Sequence, residues 1–179
     1  MIIRPTPLAG AHVVELERLG DERGSFARTF DAEQFRAAGL DPRVAQCSTS
    51  FNLREGTLRG MHYQAAPHEE VKLVRATSGA LFDVIVDLRP RSASFRRWFG
   101  IRLDARSGTA LYIPAGFAHG FQTLAEDTEV HYQINVPYVP GAARGVRFDD
   151  PAFAIDWPAP PPGGRTISER DRGFPDFSG

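Results

Sequence analysis

The chain has 179 residues, 42% of them hydrophobic, and a formal net charge of −1. That length fits one domain whose core needs no metal or disulfide, and the near-zero charge gives no electrostatic case for a nucleic acid or an anionic membrane as partner. A single cysteine, Cys47, excludes an intrachain disulfide.

The start, Met1-Ile2-Ile3-Arg4-Pro5, lacks the apolar stretch of a signal peptide, and no run approaches the ~20 apolar residues that span a bilayer. The expected location is the cytoplasm. Seventeen glycines and fourteen prolines cut the chain into short apolar runs, the rhythm of an all-β domain. The predicted strands begin with His12–Leu19 and Ser25–Phe30. One clear helix follows over Asp31–Ala38, with Asp31 as cap, Gln34 three residues on and Gly39 as stop. Further strands are predicted over Val44–Phe51, Thr57–Gln64, Val71–Thr77, Ala80–Leu88, Trp98–Leu103, Thr109–Ile113, Gly120–Leu124 and Thr128–Asn135. Ala159–Gly164, rich in proline and glycine, reads as a mobile connection. So many short strands with frequent turns predict a jelly roll or barrel in a single domain, 1–179.

Alternation places Phe82, Val84, Val86 and Leu88 on one apolar face, with Asp83, Ile85 and Asp87 opposite. The acidic side faces either solvent or a functional cavity.

In Leu58-Arg59-Gly60-Met61-His62-Tyr63-Gln64, Gly60 permits close backbone approach. His62 is either a general base, since imidazole titrates near neutral pH, or a hydrogen-bonded structural histidine. Lys72 alternates with apolar Val71 and Leu73, as a pocket cation or a surface lysine. Tyr132 shares an inward face with Val130 and Ile134, as core aromatic or acid. Asp171 follows the proline-rich stretch and by default is an exposed carboxylate. Pro114-Ala115-Gly116-Phe117-Ala118-His119 resembles the second motif of the cupin superfamily. The first cupin motif normally offers His-x-His; here His62 is followed by Tyr63 and Gln64. His62, Glu69 or Glu70, and His119 could still assemble a three-ligand site, but without the paired histidines no metal is expected.

In order along nearly the whole chain, Gly20-Asp21-Glu22-Arg23-Gly24, the segment around His62, Lys72-Leu73-Val74-Arg75, Phe82-Asp83-Val84, Ile113 to Phe121, Tyr132, Asp149-Asp150-Pro151, Trp157-Pro158 and Ser168-Glu169-Arg170-Asp171 resemble the dTDP-4-dehydrorhamnose 3,5-epimerase family, a branch of the cupins. The resemblance implies a cupin-type jelly-roll β-barrel with a few short helices, its segment from about 159 to 179 closing over the barrel. It implies His62 as base, Asp171 as its carboxylate partner, Tyr132 as acid and Lys72 beside the ketone oxygen. It implies substrate contact at Arg23, Arg59, His119, Cys47, Thr49 and Ser168, no cofactor, a nucleotide-diphosphate sugar substrate, and a homodimer with exchanged N-terminal strands. The chain departs from the family pattern at Arg28, along Cys47–Phe51, near Ala143 and at Arg170. These departures leave open inversion of C3 alone or C5 alone. A metal-dependent cupin and a non-catalytic sugar-binding cupin are the readings outside this class.

Overall fold

The computed structural model describes residues 1–178. Thirteen strands and two short helices occur in the order β1 (Ile2–Pro5), β2 (His12–Glu15), β3 (Leu19–Asp21), β4 (Gly24–Phe26), α1 (Ala32–Ala37), β5 (Gln46–Asn52), β6 (Leu58–Gln64), β7 (Lys72–Ser78), β8 (Ala80–Asp87), β9 (Trp98–Asp104), β10 (Ala110–Ile113), β11 (Phe117–Thr123), β12 (Thr128–Ile134), β13 (Ala143–Gly145) and α2 (Glu169–Arg172). Two antiparallel sheets carry the fold. One has the order β1-β2-β10-β7-β12-β5, the other β13-β6-β11-β8-β9. Among the described residues the β3–β4 hairpin pairs only with itself.

The main core lies between the sheets. Val74, Leu111, Ile113 and Val130 of the first meet Leu81, Ile85, Phe117 and Phe121 of the second. Each such side chain contributes about 1.5–3 kcal/mol when fully buried. This is the cupin-type jelly roll that the family resemblance implies. The apolar face of β8 turns outward, yet it is not wet. Val84 and Val86 pack with Met61, Ala118 and Phe153, and Phe82 and Trp157 lie against them. The opposite face therefore looks into the barrel and carries Asp83 there, fully buried.

Several boundaries differ from the predicted ones. His12–Leu19 divides into β2 and β3, and Ser25–Phe30 shortens to β4. β1 was not predicted. It is an edge strand, where Pro5 removes no needed donor. α1 matches its signals: Asp31 Oδ1 accepts from the backbone N–H of Glu33 and Gln34 at 3.0 and 3.1 Å. Gly39 adopts the left-handed φ of +73° that ends it. Ala159–Gly164 is tied down rather than loose. Gly164 N–H donates to Pro161 O, and the Arg165 guanidinium reaches both Gln122 Oε1 and Pro158 O. Among the described residues no helix is long and apolar enough to cross a membrane.

Candidate active site

Strict strand alternation would send Arg59 and His62, three residues apart, to opposite faces of β6. A bulge prevents this. His119 of β11 faces His62, but Phe121, two residues on, faces Arg59. The extra residue in β6 turns both side chains into one cavity. Glycines make the bulge possible: a Cβ on Gly60 would sit 2.5 Å from Gly120 Cα, and Gly60 has φ +139°.

His62 is held from behind. Its Nε2 lies 2.7 Å from Asp171 Oδ1, while Asp171 Oδ2 accepts from the Gly60 N–H at 3.2 Å. Burial, the largest influence on Asp171, works against its ionisation. The hydrogen bond and charge of His62, with the Gly60 N–H and the Ser168 contact, outweigh it and hold the carboxyl below its ordinary range. An ionised Asp171 only accepts, so Nε2 carries the proton and Nδ1 keeps the lone pair of the neutral ring. The Phe174 ring stands edge-on to the imidazole at 5.9 Å between centroids.

The facing sheet supplies the other groups. Lys72, at the start of β7, is 7% exposed and its Nζ lies 2.7 Å from Glu70 Oε1. Tyr132 of β12 stands edge-on to His119, with ring centroids 6.1 Å apart. Burial pushes the Tyr132 phenol well above its ordinary pKa and the Asp83 charge adds to this, against smaller opposing effects of Arg59 and Ser50. The phenol therefore keeps its proton at neutral pH. His119 Nε2 meets buried Asp83 Oδ1 at 2.7 Å, a second imidazole–carboxylate pair one strand from the first. Arg59 donates through Nε to Asn52 Oδ1 at 2.8 Å.

His62, Lys72, Tyr132, Arg59 and His119 thus line one cavity of about 320 Å³, with Asp171 directly behind His62. Asp171 is 4% exposed, not the solvated tail carboxylate of the default expectation. Four expected contacts lie elsewhere. Arg23 sits on the β3–β4 hairpin, its side chain 84% exposed and paired with Asp21. Cys47 and Thr49 point to the opposite face of β5, because Ser48 and Ser50 line the cavity and the strand period is two. The expected strand pattern was placed one residue out of phase. Ser168 does not line the cavity; its Oγ accepts from the Asp171 N–H at 3.1 Å and caps α2. Sequence reasoning missed Glu70 as the partner of Lys72, Asp83 as the partner of His119, and Tyr138 and Arg144 at the wall. The acidic face of β8 was the one available signal for Asp83.

Among the described residues no three His, Cys, Asp or Glu side chains are grouped to hold a metal. Of the set His62, Glu69 or Glu70, and His119, the residues His62, Glu70 and His119 each engage a protein partner. What the cavity offers is an imidazole with a fixed tautomer on one sheet, and a protonated phenol and an ammonium group on the other.

Comparison with known proteins bears on the chain as a whole. Residues 5–179 match the family described as dTDP-4-dehydrorhamnose 3,5-epimerase. A protein of that name from Sinorhizobium fredii is 40% identical over 158 residues, covering 88% of this chain and 81% of the relative. The crystal structure of dTDP-4-dehydrorhamnose 3,5-epimerase from Elizabethkingia anophelis superposes with a TM-score of 0.95 at 34% identity, covering 99% of this chain and 96% of that one. A dTDP-6-deoxy-D-glucose-3,5-epimerase from Legionella pneumophila, solved with dTDP-4-keto-L-rhamnose, gives a TM-score of 0.89 at 31% identity and covers 99% of both chains. By the extent of these matches, the chain belongs to the dTDP-4-dehydrorhamnose 3,5-epimerase family.

Proposed function

We propose that this chain is an isomerase that inverts C3 and C5 of a dTDP-linked 4-keto-6-deoxyhexose, on the route to an L-rhamnose-type sugar. The observation that carries this reading is the convergence of the His62–Asp171 pair, Lys72 and Tyr132 on one cavity from two facing sheets.

A C–H bond beside a ketone is acidic only while the resulting enolate is stabilised. His62 Nδ1 takes the proton, and the bonding pair moves into the ring to leave an oxyanion at O4. The Lys72 ammonium faces that oxygen; removing one such donor typically costs ~10²–10³ in rate. Asp171 fixes the imidazole and stabilises its charged form. Tyr132 then delivers its proton to the same carbon from the other sheet, which inverts the centre. Solvent exchange returns His62 and Tyr132 to their starting states. None of these steps routes through a cofactor.

Nucleotide recognition follows from the wall. Arg59 and Arg170 present guanidinium groups suited to phosphate oxygens, and Tyr138, 56% exposed at the cavity, offers a ring on which a base can stack. We further infer a cytoplasmic homodimer in which the β3–β4 hairpin crosses to the second copy and brings Arg23 to that copy's cavity. The isolated hairpin supports this, as does the exposure of Leu19 (73%) and Phe26 (68%) on it.

The test is incubation with dTDP-4-keto-6-deoxyglucose in D₂O, reading deuterium at C3 and C5 by NMR. Incorporation at both carbons is expected, with a loss of at least ~10²-fold in His62→Ala. Exchange at the wild-type rate in that variant removes His62 as base, and label at one carbon alone makes the chain a monoepimerase.

A further inference from the structure

The charged groups around the cavity divide into two kinds. His62, His119 and Lys72 each face a carboxylate: Asp171, Asp83 and Glu70. Three arginines on the same wall do not, among the described residues. Arg59 on β6 bonds the neutral amide of Asn52, Arg170 on α2 lies 5.9 Å from the Phe174 ring centroid, and Arg144 on β13 bonds only backbone carbonyls. A chain of net charge −1 thus concentrates uncompensated positive charge at one hollow.

Of the three, Arg144 is the one that no sequence motif singles out. Its Nη1 donates to Gly141 O at 3.0 Å and to Ala143 O at 2.9 Å. Those carbonyls belong to the turn Pro140–Ala142 and to the first residue of β13, so the guanidinium is fixed by backbone while its charge stays unspent. Nε and Nη2 have no partner among the described residues and form a free edge, the geometry that takes two phosphate oxygens at once. Position matters as much. Gly145, the next residue, is the register partner of His62. A sugar whose reacting carbon meets His62 carries its diphosphate on the same ring, so the phosphates fall within reach of the neighbouring wall.

We infer that Arg144 is a diphosphate-binding residue, gripping the phosphates of a nucleotide sugar across the cavity wall from Arg170. This rests on the function proposed above, and the test separates the two. dTDP and thymidine are titrated calorimetrically into the full-length wild type, Arg144→Ala and Arg144→Lys, and C3/C5 deuterium exchange is followed at saturating substrate. The expected result is dTDP affinity about tenfold weaker in Arg144→Ala, as for one lost charge-assisted contact. Arg144→Lys should recover only part of that, because an ammonium lacks the fork. Thymidine affinity should not change, and exchange at limiting substrate should fall more than exchange at saturation. Equal dTDP affinity in wild type and Arg144→Ala overturns the inference and leaves the epimerase reading standing. Failure of the wild type to bind dTDP at all overturns both. Arg144 is exposed and, among the described residues, anchored only to its own turn, so its truncation leaves the fold intact.

Discussion

At the residue scale, the site depends on one carboxylate that appears in the sequence as a tail residue. Asp171 does three things: it sets the His62 tautomer, accepts the Gly60 N–H, and joins α2 to β6. Its carboxyl titrates below the ordinary range, so folding favours the ionised form. A depressed carboxylate stabilises the fold above its unfolded value of about 3.9 and ceases to do so as pH falls through the folded value. Asp171→Asn keeps the shape, but its amide group can meet the ring with a donor and so favour the wrong tautomer. The expected loss in exchange rate is about 10²–10⁴-fold. Thermal melts should show wild type above Asp171→Asn by a margin that shrinks as pH falls below about pH 4. A margin that instead grows below about pH 4 contradicts an ionised Asp171.

At the element scale, the β6 bulge decides whether there is a site at all. It brings Arg59 and His62 to the same side, and it rests on Gly60 and Gly120 lying backbone to backbone. Gly60→Ala would place a methyl 2.5 Å from Gly120 Cα, at a φ that L-residues avoid. The expected destabilisation is on the order of 3 kcal/mol, from strain and overpacking together, read as a lower denaturation midpoint. A wild-type midpoint would mean that the strands part at no cost. This element also marks where the sequence stops being readable. Strands, the α1 cap and the two faces of β8 follow from local patterns, since period and capping are local properties. His62, Lys72 and Tyr132 could be nominated from residue type and from the family resemblance. Their convergence could not, because it depends on a bulge whose partner strand lies about sixty residues away in the chain. The phase of β5 was lost for a similar reason. Cys47 and Ser48 are equally plausible contacts until the Ser48–Tyr132 register fixes which face is inward. Asp83 sat in plain view on an acidic face, but its function needs His119, which β11 brings beside it.

At the scale of the whole molecule, the unevenness of the surface is the remaining argument. A protein with its apolar side chains packed into clusters between and behind two sheets nonetheless leaves Leu19, Phe26, Phe51 and Leu53 more than half exposed. Leu19 and Phe26 are directly opposed across β3–β4, a two-stranded ribbon that pairs with neither sheet and that rarely holds its shape alone in water. Phe51 belongs to β5, whose outer edge has no partner among the described residues. A second copy supplies a physical reason for both features at once: the ribbon gains a sheet to lie on and the edge gains a cover. Arg23, at the tip of that ribbon, would then reach a cavity that its own chain does not let it approach. Sedimentation of the wild type should therefore report a dimer at micromolar concentration. The double variant Leu19→Asp/Phe26→Asp should run as a folded monomer and lose most of its exchange activity, and Arg23→Ala should stay dimeric while binding dTDP more weakly. A monomeric double variant with full activity would place Arg23 outside the site and leave each cavity complete within one chain.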